Sequence, residues 1–230
     1  MENSKATISS TQESNMTTLK QQTEAKVEAG RKGNPDFMAG VDQVIAQAKS
    51  FQQGNDALEV GKNAPHFKLP DAQGKSISLA DLLTEGPVVI TFYRGSWCPY
   101  CNLQLKALQA RLADIQALGA SLVAISPQVP DGSLTTDEIN NMGFTVLSDQ
   151  DAKVAAEYGV AWQVPEFLLD HMRNDRQLDL EAINNGNANI IPIPATFILN
   201  SDGEVTWRFV DLDYRVRSEP ADIIAALQKL

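Results

Sequence analysis

The chain has 230 residues, a formal charge of −10 and a sequence pI near 4.7, and 43% of its residues are hydrophobic. That apolar content supports one substantial core, while the acidic balance argues against nucleic acid and anionic membrane as partners. No apolar run approaches the roughly 18 residues of a membrane span, and the polar opening Met1-Glu2-Asn3-Ser4-Lys5 lacks the apolar centre of a leader peptide, so a cytoplasmic protein is expected.

Residues 1 to about 15 are rich in Ser, Thr, Asn, Glu and Gln, which predicts disorder. From Thr17 to Gln53 the composition turns helical, with an interruption at Gly30 to Pro35. Phe37, Val41, Val44, Ile45 and Ala48 recur at helical spacing, and such a stripe must dock on the rest of the chain or on a second copy of it. Gly54-Asn55 ends this segment, which divides the chain into an extension at 1–57 and a main domain at 58–230.

In the main domain Asp71-Ala72-Gln73-Gly74 reads as a turn and Ser78 to Leu83 as a short helix. Val88 to Phe92 is apolar and β-branched and predicts a buried strand. Beyond Cys101, the residues Leu105, Leu108, Leu112 and Ile115 share one face of a helix of about five turns. Ser121 to Ser126 and Phe144 to Asp149 read as strands, with a capped helix from Thr135 to Met142 between them and a short helix from Ala152 to Tyr158 after them. Residues 163–190 look irregular, apart from a helix over Pro165 to Arg173. Asp202-Gly203, between Ala195–Asn200 and Val205–Val210, signals a hairpin. Ser218-Glu219-Pro220 opens a last helix with Ile223, Ile224, Leu227 and Leu230 on its apolar face. The order predicts an α/β sheet that begins parallel and ends antiparallel, with helices on both faces.

Cys98 and Cys101 are the only cysteines, and they stand where the first long strand meets the first long helix. The free N–H groups and the dipole of a helix N-terminus favour a thiolate there, so the pair reads as a dithiol/disulfide redox site. Zinc would need four ligands, and the only histidines, His66 and His171, lie far along the chain. Two inert buried thiols are the remaining reading. Arg94, four residues ahead of Cys98, could stabilise its thiolate but reads first as a solvated charge at the strand end, Trp97 reads as a residue that shields the site and packs, and the two histidines as surface or loop residues.

From Leu58 onward these elements resemble the thioredoxin superfamily and, within it, the alkyl hydroperoxide reductase / thiol-specific antioxidant branch that includes the peroxiredoxins. Four segments carry the resemblance: Val60 to Leu79; Trp97-Cys98-Pro99-Tyr100-Cys101; Ile193-Pro194-Ala195-Thr196 through Gly203, which is similar to the superfamily's cis-proline loop and hairpin; and Arg215-Val216-Arg217-Ser218-Glu219. The resemblance implies a thioredoxin-like fold and a thiol-dependent peroxidase that needs neither metal nor cofactor. Cys98, leading the helix and the better exposed thiol, would attack the peroxide. Cys101, one turn on, would close a disulfide with it. Arg217 would serve the peroxide pocket, and Pro194, if cis, would sit against the disulfide. The reductant would be a thioredoxin, a glutaredoxin or a glutathione-type thiol, and a homodimer stays open. The pattern departs from the peroxiredoxins where they carry Pro and Thr or Ser, seven and three residues before the reactive cysteine. Here those positions are Thr91 and Gly95, with Ser96 one residue later. The place of a peroxiredoxin arginine near the cis-proline position is held by Pro194. A thioredoxin-like disulfide oxidoreductase, and a non-enzymatic redox sensor read out by the N-terminal helix, remain as alternatives.

Overall fold

The structure, a computed structural model, describes residues 17–51, 53–129 and 142–230. The segment expected to be disordered at the start of the chain lies outside them, as does nearly all of the helix expected at Thr135 to Met142. Helix α1 (Leu19–Gly33) opens with a reciprocal cap, in which the Thr18 hydroxyl accepts from the Gln21 N–H and the Gln21 side chain accepts from the Thr18 N–H. Asn34 ends α1 and caps α2 (Pro35–Ser50), whose first position holds a proline.

Strands β1 (Lys68–Pro70) and β2 (Ser76–Ser78) pair antiparallel across the expected turn, and Ser78 caps α3 (Leu79–Glu85). Next come β3 (Val88–Phe92), α4 (Pro99–Ala110), α5 (Leu112–Ala117), β4 (Ser121–Ser126), β5 (Thr145–Ser148) and α6 (Lys153–Glu157). The remainder runs through β6 (Ala161–Gln163), α7 (Glu166–Asp170), α8 (Leu180–Asn184), β7 (Ile190–Pro192), β8 (Ala195–Leu199), β9 (Val205–Val210) and α9 (Pro220–Leu227). The main sheet has the order β5-β4-β3-β8-β9. The pairs β3–β4 and β4–β5 are parallel, while β8 lies antiparallel to both β3 and β9. Thus β3 is central, and all five of its residues are buried, which suits a run of Val, Ile, Thr and Phe.

Two local expectations give way. The helix after the cysteines breaks at Arg111, where the backbone leaves helical angles (φ −112°, ψ 13°). Its N–H turns to Leu108 O, three residues back, at 3.1 Å. The apolar stripe survives the break, since Leu105, Leu108, Leu112 and Ile115 are all buried. The stretch read as irregular contains α8, and its two ends are joined by a ribbon of β6 with β7, elements too short for periodicity to reveal.

Helices α1 and α2 pack on the main domain of the same chain. Val41, Ile45 and Ala48 are buried, joined by Met38, while Phe37 and Val44 are half-buried. Phe37 stacks on His171 with ring centroids 3.7 Å apart. Polar ties fix the orientation. Arg215 donates to Asp42 at 2.6 Å, Lys49 lies 3.6 Å from Asp211, and the Glu219 carboxylate accepts from the N–H groups of Leu19 (3.3 Å) and Lys20 (2.5 Å) at the start of α1. Because Ile45 sits within the common core, Ile45→Ala should lower unfolding free energy by about 2–5 kcal/mol in denaturant titration. A helix pair detached from the domain would show no such loss.

Candidate active site

The β3-to-α4 junction builds the site. After β3 the chain passes through Gly95, whose φ of +140° is a conformation few residues other than glycine adopt. The Cys98 N–H returns to Gly95 O at 3.1 Å, and Cys98 becomes the N-terminal cap of α4, with Pro99 in the first turn. One turn later Cys101 brings its sulfur back, and the two cysteines approach to 3.0 Å as free thiols. Both are buried, Cys98 at 1% exposure, so the expectation of a better exposed Cys98 fails. Helices α1 and α2 and the Leu168–Arg176 stretch cover that end of α4.

Two guanidinium groups surround the pair. Arg217 donates through Nη2 to Cys101 Sγ at 3.3 Å and to Cys98 Sγ at 3.8 Å. Arg94 is not the solvated charge expected from its strand-end position. It is buried, with its guanidinium carbon 4.9 Å from the Trp97 ring centroid and 4.1 Å from that of Tyr214. Aromatic faces, rather than water, hold this cation. Among the described residues neither arginine has an ion pair with a carboxylate.

These charges separate the two thiols. Burial alone would push the Cys98 thiol up. The hydrogen bond from Cys101, the charges of Arg94 and Arg217, and the Cys101 backbone N–H together hold it well below the ordinary range. Burial pushes the Cys101 thiol well above its ordinary value, reinforced by the hydrogen bond to Cys98 and by the Cys98 charge, with Arg217 opposing. The arrangement favours the thiolate at Cys98 and the protonated thiol at Cys101.

Arg217 is itself held by a polar cluster that sequence reasoning missed. Its Nη1 donates to Gln104 Oε1 at 3.2 Å, and Gln104 Nε2 reaches Thr91 Oγ1 (3.3 Å) and Ser218 Oγ (3.3 Å). Thr196 and Ser218 hydroxyls bond at 2.9 Å, and Thr91 and Thr196 at 3.2 Å. Helix α4, strands β3 and β8 and the segment before α9 are thereby tied through four buried side chains. The available signal was Gln104 itself, a polar residue on the face that carries Leu105 and Leu108.

Ser96 does not face the thiols. Its N–H and its hydroxyl both donate to Gln128 Oε1, at 2.8 and 2.9 Å. Pro194 is buried at the entry to β8, but no cis peptide occurs among the described residues, so the expected cis bond is absent. The chain runs extended from β7 into β8, with the Ile193 N–H held by Val160 O at 2.7 Å, and trans is the ordinary state of such a bond. Pro194 is not among the residues lining the cavity over Cys98. His66 is exposed; His171 is half-buried and pairs with Asp175 at 2.6 Å.

Cys98 forms part of the floor of a cavity of about 420 Å³. Its walls come from α1 and α2 (Lys26, Phe37, Met38), from Leu168 and Met172, and from Trp97, Tyr100 and Tyr214. The lining includes Arg94 and Arg176 and no Asp or Glu. Among the described residues no group of three or more His, Cys, Asp or Glu is placed to hold a metal ion.

Comparison with known proteins agrees with this construction. The model of the AhpC/TSA family matches residues 60–208. A putative peroxiredoxin, Bcp, of Haemophilus influenzae is 35% identical over 111 residues, covering 48% of this chain and 70% of the relative. The thiol-disulfide oxidoreductase ResA of Bacillus thuringiensis is 28% identical over 124 residues, covering 53% of this chain and 70% of the relative. The crystal structure of the peroxidoxin BcpB of Mycobacterium tuberculosis superposes with a TM-score of 0.58 at 22% identity, over 75% of this chain and 98% of that one, a likeness of fold. With the match of the family model, the sheet order and the strand-to-helix dithiol, the chain belongs to the AhpC/TSA family as a peroxiredoxin-like protein of the thioredoxin superfamily.

Proposed function

We propose that the protein is a peroxiredoxin-type thiol peroxidase that reduces hydroperoxides through a Cys98/Cys101 dithiol–disulfide cycle. One observation carries the reading: a buried cysteine beside two arginines that have no carboxylate partner among the described residues, its thiol held well below the ordinary range, sits at the floor of a small-molecule cavity. The Cys98 thiolate attacks the terminal oxygen of the peroxide. An S–O bond forms, the O–O bond breaks, and the departing alkoxide takes a proton. Cys98 is left as a sulfenic acid, oxidised by two electrons. The Cys101 thiolate, formed as its proton leaves, displaces hydroxide from that sulfur. This yields water and a disulfide before further oxidation. An external thiol then restores the dithiol by exchange. We place this cycle in a reducing compartment such as the cytoplasm, where two cysteines serve chemistry rather than stapling.

Arg217, fixed by Gln104, is the group best placed to keep both sulfurs reactive, since it reaches each of them. Pro194, next to the Ala195 that pairs with Phe92 at the end of β3, is retained as a site residue whose backbone borders the thiol end of the sheet. The apolar and aromatic walls over Cys98 favour organic hydroperoxides beside hydrogen peroxide. A thioredoxin, a glutaredoxin or a glutathione-type thiol would serve as reductant. The second reading, a disulfide oxidoreductase, draws on the CxxC spacing and on the strand-to-helix position it shares with dithiol exchange sites.

Cys98→Ser should abolish peroxide consumption, whereas Cys101→Ser should consume about one equivalent and stop as a sulfenic acid trapped by dimedone. The reverse pattern would transfer the nucleophile to Cys101. The pH dependence has a definite sign. The reactive form is the thiolate, and its pKa is depressed, so alkylation of Cys98 should persist below the pH at which an ordinary thiol loses its reactivity and fall only as pH drops through that depressed value. In Arg94→Gln the lost charge raises the pKa, so the fall should move to higher pH. An unmoved profile would remove Arg94 from the electrostatics of the site.

A further inference from the structure

The site holds hydrogen-bond donors that the protein leaves without acceptors. Arg94 Nε, Trp97 Nε1 and Arg217 Nε are all buried and without a hydrogen-bond partner. An unsatisfied buried donor costs about 1–3 kcal/mol, so three around one dithiol call for a ligand that supplies lone pairs. Trp97 is the informative one. It lines the cavity together with Cys98 and Arg94. Its indole nitrogen also stands where a side chain at position 95 would begin: a Cβ built on Gly95 would lie 2.4 Å from Trp97 Nε1. The one hydroxyl nearby, that of Ser96, is already committed to Gln128. The indole N–H therefore occupies the place left open by Gly95; Gln128 Oε1 also lies 3.2 Å from that place but takes the Ser96 donors and not the indole.

We propose that Trp97 is a catalytic residue of this peroxidase, its indole N–H donating to the peroxide oxygens over Cys98. The inference rests on the peroxidase reading above and adds to it the group that receives the substrate. As the thiolate attacks and the O–O bond lengthens, negative charge gathers on the departing oxygen. A fixed N–H donor beside Arg94 stabilises that charge more than it stabilises the neutral peroxide, which lowers the barrier. The guanidinium of Arg94, 4.9 Å from the centroid of the same indole, adds positive charge beside the ring. A peroxide oxygen at the Trp97 N–H supplies the acceptor that the folded protein leaves out.

The test compares two reactions of the reduced protein. Trp97→Phe keeps an aromatic ring against Arg94 and removes the N–H. Its rate with cumene hydroperoxide, followed by stopped flow, should fall about 10²-fold, the scale for loss of one such donor. Its rate with iodoacetamide, which needs only the thiolate, should stay at the wild-type value. Ser96→Ala should change neither rate. Replacing the indole at position 97 by benzothiophene, which exchanges N–H for sulfur at nearly constant shape, should reproduce the selective loss even if the phenylalanine variant folds poorly. An undiminished peroxide rate in these variants would overturn the proposal. So would an equal fall in both reactions, which would assign Trp97 to packing or thiol acidity, or a loss confined to Ser96→Ala, which would assign the donor to the hydroxyl. If the wild-type protein reduces insulin disulfide but reacts with no peroxide, the peroxidase reading itself fails, a result distinct from a reactive wild type with an unimpaired Trp97→Phe.

Discussion

Two guanidinium groups buried beside two sulfurs, with no carboxylate among the described residues to meet them, set the terms for the rest of this structure. A cation taken out of water needs a counter-charge or a polarisable face. Arg94 finds the rings of Trp97 and Tyr214, and Arg217 finds Gln104 and the sulfurs. What remains of the charge demand falls on the one group that can supply an anion at neutral pH, the Cys98 thiol. The acidity of Cys98 is thus part of the charge balance of the folded core, and the helix N-terminus adds to it.

The N-terminal helices belong to the same balance. Asp42 of α2 pairs with Arg215, two residues before Arg217, and Glu219, two residues after it, caps the first turn of α1. The 215–219 segment is therefore gripped from outside by the extension and from inside by the Gln104 cluster. The matched family segment ends at residue 208 and begins at residue 60. Both the extension and Arg217 lie beyond it. The same helices that hold the arginine in register also wall the cavity, so packing and substrate access are one piece of architecture.

The sheet was readable in advance because its strands are runs of buried β-branched and aromatic residues. The bounds of β3, β4 and β9 coincide with the expected runs, and β8 differs by a single residue. The dithiol was readable because spacing and position coincide at one junction. What could not be read were properties that arise only on assembly. A strand-end arginine is normally solvated, and nothing near Arg94 in sequence announces that Tyr214, 120 positions on, will stack on it. The Ile193–Pro194 motif suggested a cis bond, yet an extended run from β7 into β8 asks for none. Residues Thr91, Thr196 and Ser218 look like ordinary strand and loop residues until Gln104 joins them.

Gly95 and Trp97 share one small volume, and that has a consequence for how this site can change. A side chain at 95 and an indole at 97 exclude each other, since the first atom of the former would overlap the nitrogen of the latter. A side chain placed at position 95 alone would force the indole to move, on a backbone conformation (φ +140°) that few residues other than glycine adopt. A chain with both groups is crowded, and one with neither has an empty donor position. The two positions are coupled, and a change at one falls on the other.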